Sequence, residues 1–191
     1  MGLPARTFIS PEEYLALDRA ADVKSEYHDG EMFPREEASA EHGYVVANIV
    51  RSIDNRLEKT PCRASVAPRL LTPSGRYLYP DVAALCGQPQ VTDEVGDTVT
   101  NPRAIFEVTS PSTVGYDYSR KFELYRTLRS IEEYVLVAHN EPRVDVFRRM
   151  ASGRWELTEY SGFDVTVAVE SLGIEIPMRE IYDRVPGIVI P

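Results

Sequence analysis

Three polar residues stand where apolar ones would ordinarily go. Asp81 lies in the run YPDVAAL, Glu107 in AIFEVTS and Lys121 in DYSRKFELY. Both acids interrupt short apolar segments that read as strands, and the lysine falls on the buried stripe of a helix. Carboxylates and ammonium groups are rarely buried unless paired or bound to a metal. Metal-assisted hydrolysis of a phosphodiester calls for this combination. Magnesium prefers oxygen ligands, keeps several waters, and is usually held by one or two carboxylates together with substrate phosphate oxygens. A neighbouring cation then helps to stabilise transition-state charge. Each residue also has a plainer reading. Asp81 after a proline suits a turn or strand edge, Glu107 suits the wet face of an edge strand, and Lys121 suits an exposed i, i+4 pair with Asp117.

The elements that position these residues follow from period and punctuation. Ser10, Pro11, Glu12 and Glu13 form a helix start, with a hydroxyl N-cap, a first-turn proline and early acids; the helix ends near Ala20. Residues 25–33 read as a hairpin turning on Asp29 and Gly30. Ser39 or Glu41 opens a longer helix whose stripe is Val45, Val46, Ile49, Ile53 and Leu57. After Thr60 and Pro61 the period changes to two. Residues 64–71 and 77–86 read as two strands joined by a turn at 72–75, with Tyr77, Tyr79, Asp81, Ala83 and Leu85 on one face. Residues 87–101 are polar and read as a surface loop.

Residues 104–109 form the next strand, with Ile105, Glu107 and Thr109 on one face. A helix at roughly 118–129 puts Lys121, Leu124, Tyr125 and Leu128 on one stripe. A buried ammonium there must pair or lose its proton, and Glu107 is the natural partner. Residues 133–138 are a continuous apolar strand, 144–149 and 155–160 a hairpin, and the tail holds one strand near 165–169 and a short amphipathic piece at 176–182. No internal repeat or linker interrupts this order, so the reading is one mixed α/β domain over 1–191.

Bulk properties narrow the function classes. The 191 residues carry 21 basic and 30 acidic side chains, a net charge of −9, which counts against a broad nucleic-acid-binding surface but leaves room for a local basic groove. Of the basic residues only Lys24, Lys59 and Lys121 are lysine. No run approaches the roughly 20 apolar residues needed to span a bilayer, and no leader peptide is evident. Cys62 and Cys86 lack metal-ligand spacing, so free thiols in a cytoplasmic protein are the expectation.

The ordered set YPDV, FEVTSPST, DYSRKF and EEYVLV, with SPEEYLAL and the EYHDGE hairpin before it, resembles the restriction endonuclease family of the Uma type. That family is a branch of the PD-(D/E)XK nuclease superfamily, and the likeness spans about residues 7–185. It implies a restriction-endonuclease-like fold, a mixed central sheet flanked by helices with an additional β-hairpin. It further implies Asp81 and Glu107 as the first and second metal ligands. On the resulting reading of a nuclease that cuts DNA, the ion is Mg2+ or Mn2+ and the Val108 carbonyl adds a ligand. The superfamily usually places its lysine two residues after the second acid, where this chain has Thr109. In this branch the lysine stands on the following helix, which Lys121 matches.

Around this core several residues remain open. Glu26 is either a further acid near the metal or half of a hairpin salt bridge. His42 is either a phosphate or water contact or a structural histidine, and Asp117 is an accessory acid or an N-cap. Arg51, Arg56, Arg120 and Arg126 are candidates for phosphate contacts. His28 and His139 show no metal-ligand spacing. A homodimer would suit cleavage of two strands. Two other readings stay in view. One is a nuclease-like scaffold that no longer cuts. The other is a two-carboxylate glycosidase, for which a lone Trp155 gives little support.

Overall fold

The computed structural model describes residues 8–35, 38–111 and 113–191. The first seven residues, on which the leader reading partly rests, and Ser112 of the FEVTSPST run lie outside these. Helix α1 (Pro11–Ala20) begins where its punctuation directs, with the Ser10 hydroxyl accepting from the Glu13 amide at 3.2 Å. The hairpin of β1 (Ser25–His28) and β2 (Glu31–Pro34) turns on Asp29 and Gly30. Both have positive φ, 52° and 92°, as a two-residue hairpin turn requires. Helix α2 (Ala40–Leu57) is N-capped by Ser39 and buries Val45, Ile49, Ile53 and Leu57.

The two long strands expected at 64–71 and 77–86 are each broken in two. The chain runs β3 (Cys62–Val66), β4 (Arg69–Leu71), β5 (Tyr77–Leu78) and β6 (Val82–Cys86). Ala67 takes a positive φ of 43° before Pro68, and Pro80 removes a ladder donor on the return path. The pair therefore leaves one sheet and enters another. Strands β3 and β6 pair in the main sheet, whereas β4 pairs with β5, and β5 with β1, in a second sheet. Asp81 sits at the re-entry point just before β6 rather than inside a strand, so the shared face drawn through Tyr77, Tyr79 and Asp81 is interrupted.

The loop at 87–101 is interrupted by β7 (Thr98–Val99), which adds to β4 in parallel. Strands β8 (Pro102–Thr109), β9 (Glu133–Ala138), β10 (Arg143–Arg149) and β11 (Trp155–Ser161) complete the main sheet. Its order is β11-β10-β9-β8-β6-β3, with β8 and β9 parallel and the other neighbours antiparallel. The tail has a strand that the sequence pattern did not separate: β12 (Thr166–Val169) pairs with β13 (Ile174–Pro177), which leads into α5 (Met178–Ile181).

Alternation along the central strands divides the core into two faces. Val82, Phe106, Val108, Val135 and Val137 pack with α2, β12, β13 and α5. Ala83, Ile105, Tyr134 and Leu136 pack with Leu124, Tyr125 and Leu128. Glu107 shares the strand phase of Ile105, so pleating alone turns it toward this second layer.

That layer holds the helix expected at 118–129, which starts earlier and ends sooner. It runs as α3 (Val114–Tyr116), a π-helical turn (Asp117–Lys121) and α4 (Phe122–Tyr125). It stops because the Thr127 amide and hydroxyl both turn back to the Leu124 carbonyl, at 3.2 and 2.6 Å, replacing the helical bond pattern with a local one. Asp117 is consequently inside the helical run and not its N-cap.

The cysteine expectation is also corrected. Cys62 and Cys86 are direct cross-strand partners on β3 and β6 and form a disulfide. A separation of 24 residues concealed a pairing that antiparallel register creates. The thiol argument for a cytoplasmic location falls with it. Among the described residues no helix is long and apolar enough to cross a membrane.

Candidate active site

Glu107 reaches the second layer with only 2% of its surface exposed. Its Oε1 accepts from Lys121 Nζ at 3.0 Å and from the Tyr125 hydroxyl at 2.7 Å. The π turn brings Asp117 and Lys121 onto the same side, 3.6 Å apart. Such turns insert an extra residue into a helix and recur at functional sites. From the hairpin, Glu26 contributes a third carboxylate 3.7 Å from Lys121.

Asp81 enters from the break before β6. Its Oδ1 accepts from Arg35 at 2.7 Å, and its Oδ2 accepts from His42 Nε2 at 3.0 Å and from the Val108 amide at 2.8 Å. In an extended strand the amide and carbonyl of one residue share an edge, so the Val108 carbonyl lies on the edge that faces Asp81. These groups line one cleft of about 1110 Å³.

The charge states follow from burial and neighbours. Burial raises the Glu107 carboxyl to about 8, against the opposing pull of the Lys121 ammonium. Burial by itself would lower Lys121. The fields of Glu107, Glu26, Asp117 and Asp81 outweigh that and hold it above its ordinary value. Burial also opposes ionisation of Asp81, but the hydrogen bond from His42, with Val108 and Arg35, keeps it below the ordinary aspartate value. Glu26 is lowered in the same way, chiefly by His28 and Lys121 working against burial. Four carboxyl groups thus surround one ammonium.

The structure therefore gathers Asp81, Glu107, Lys121, Glu26, His42 and Asp117, with Val108 at the edge. The solvated readings of Glu107 and Lys121 fail, because both are buried and bonded to each other. Of the arginines, Arg120 lines the cleft. Arg51 and Arg56 are instead paired with Asp183 and Glu180, outside its lining, and Arg126 lies outside it too. Sequence reasoning missed Arg35 and Tyr125. Arg35 follows the β2 strand with no motif around it, whereas Tyr125 stands one helical turn beyond Lys121 and could have been read from that spacing.

Magnesium uses one or two carboxylates, a carbonyl and several waters. Asp81, Glu107 and the Val108 carbonyl fit that demand in donor type. Among the described residues no cluster of three or more His, Cys, Asp or Glu side chains is arranged to hold a metal, so the fit is of the two-acid kind.

The fold is a mixed α/β arrangement of mixed sheets flanked by helices, and comparison with known proteins gives its family. Residues 11–179 match the family described as Uma2, "Putative restriction endonuclease", and the chain belongs to that family. An uncharacterized Synechocystis protein, sll1609, is 34% identical over 156 residues, covering 81% of this chain and 88% of the relative. A second Synechocystis protein, slr1290, is 28% identical over 176 residues and covers 91% of each chain. The fold resembles a crystal structure from Anabaena variabilis described as "a putative nuclease belonging to DUF820", with a TM-score of 0.74 at 18% identity, covering 91% of this chain and 97% of that one.

Proposed function

We propose that the protein is an endonuclease that hydrolyses phosphodiester bonds of DNA with Mg2+ or Mn2+. The observation that carries this reading is the excess of carboxyl groups around Lys121 in an open cleft. Asp81, Glu107 and the Val108 carbonyl would hold the ion. Bound there, a divalent ion supplies Lewis-acid polarisation of a phosphate oxygen and a water acidified for attack. Lys121, kept charged by its acids, orients that water or stabilises charge developing on the phosphate. Tyr125 fixes the Glu107 rotamer, and Arg35 and His42 fix Asp81. Arg120 at the rim contacts a flanking phosphate.

The test is incubation of the purified protein with plasmid and oligonucleotide DNA in Mg2+, in Mn2+ and in EDTA. Cleavage should appear only with metal and vanish in Asp81→Ala and Glu107→Ala variants that keep their fold. Cleavage that survives either replacement overturns the assignment.

A second reading, a nuclease-like scaffold without catalysis, is favoured by one feature. Arg35, His42 and the Val108 amide already occupy both oxygens of Asp81. A scaffold would give no heat on titration with Mn2+, whereas a working nuclease binds the ion through both acids.

A further inference from the structure

We propose that the DNA entering this cleft is single-stranded, with an unpaired base stacked on Phe33. The inference rests on the nuclease reading above and names the form of substrate that the cleft suits. Two independent observations carry it.

The first is a row of rings leading from solvent to the acids. Phe33, on β2, is 46% exposed, and Tyr116 is 40% exposed. The Phe33 ring meets His28 edge-on with centroids 5.5 Å apart. The Tyr116 hydroxyl lies 3.4 Å from His28 Nε2 and 3.2 Å from Glu26 Oε2. Glu26 in turn approaches Lys121 and hence Glu107. All of these residues line the same cleft. An exposed ring beside a phosphate-cleaving centre is the arrangement that holds a splayed base, since every base has a face to stack and a paired base does not offer it.

The second observation is the lack of spare positive charge. Duplex DNA carries about one negative charge per 1.7 Å of axis, and proteins that track it neutralise several phosphates with free Lys and Arg. Among the described residues the cleft has four such cations, Lys24, Arg35, Arg120 and Lys121. Three are held by internal bonds: Lys24 donates to the Asp18 and Ala21 carbonyls, Arg35 to Asp81 and Lys121 to Glu107. Arg120 alone, in an exposed 3.4 Å pair with Glu123, is left to meet a phosphate. The same lining carries five acids, Asp22, Glu26, Asp81, Glu107 and Asp117. A strand that delivers one phosphate to the acids and its bases to the aromatic row suits this surface better than a rigid duplex does.

The experiment measures fluorescence anisotropy with a 5′-labelled 12-nucleotide DNA and with its duplex, in Ca2+ at fixed salt. Wild type, Phe33→Ala and Phe33→Tyr are compared, and melting curves establish that the variants fold. The single strand should bind about tenfold or more tightly than the duplex. Phe33→Ala should weaken the single strand by about tenfold without changing the duplex, and Phe33→Tyr should retain wild-type affinity. Equal or tighter duplex binding, or an unchanged single-strand affinity in Phe33→Ala, overturns the inference. Calorimetry with Mn2+ runs alongside. If the ion binds and the duplex wins, the strand preference alone fails. If the ion does not bind, the nuclease reading fails and this inference falls with it.

Discussion

Lys121 Nζ lies 3.0 Å from Glu107 Oε1, although 14 residues, a turn and a π-helical turn separate them in the chain. This contact joins the central sheet to the helical layer at the base of the cleft. It also means that a single substitution can separate the cation from the acid to which the proposed mechanism assigns the metal. Lys121→Met removes the ammonium while keeping the length of the side chain. Metal-dependent cleavage should fall by about a hundredfold or more, with Mn2+ still bound. A variant that cuts at the wild-type rate would show that the amine serves packing only.

Glu107 gives a pH signature. Its folded carboxyl is raised from 4.5 to about 8, so between those values the metal-free folded chain keeps a proton that the unfolded chain has released. Stability then falls as pH rises through that window and is greatest below the ordinary value. Asp81 and Glu26 are lowered and stay charged throughout it. Melting temperature in EDTA should therefore drop from pH 5 to pH 8.5, and Glu107→Gln should make the drop shallower, leaving the slope of Asp145, whose carboxyl burial raises to about 6. Because the ion needs the carboxylate, Mn2+ affinity should rise over the same interval. A flat profile in the wild type would contradict the burial argument.

A second buried network ties α1 to the second sheet. Arg69 in β4 donates to Asp18 of α1 at 2.7 Å and to the Tyr79 hydroxyl at 2.8 Å, with Asp18 fully buried. Replacing Arg69 with methionine leaves that carboxylate without its cation. Removing one partner of a buried pair costs about 3–5 kcal/mol, so chemical denaturation should show a loss of that order. A loss well under 1 kcal/mol would mean that Asp18 is satisfied by the Tyr79 hydroxyl and the Ser25 amide alone.

The sequence carried the helices and hairpins because their signals are local. Ser39 as a cap, Asp29 and Gly30 as a turn, and the α2 stripe each act within a few residues. The three central site residues were legible for a different reason, since burying an acid or an amine is costly enough to demand an explanation. What stayed hidden depends on contacts between distant segments. The break at Ala67 and Pro80, the cross-strand partnership of Cys62 and Cys86, and the salt bridges that occupy Arg51 and Arg56 all depend on which sheet or helix lies alongside. Arg35 belongs to this group: nothing near it in the chain announces Asp81, 46 residues away.

The central claim is that Asp81 and Glu107 hold one divalent ion, and titration calorimetry with Mn2+ tests it most directly. Wild-type protein should bind one ion per chain, and Asp81→Asn and Glu107→Gln, each shown to be folded, should each lose that heat. No binding by wild type, or unchanged binding by either variant, would contradict the account.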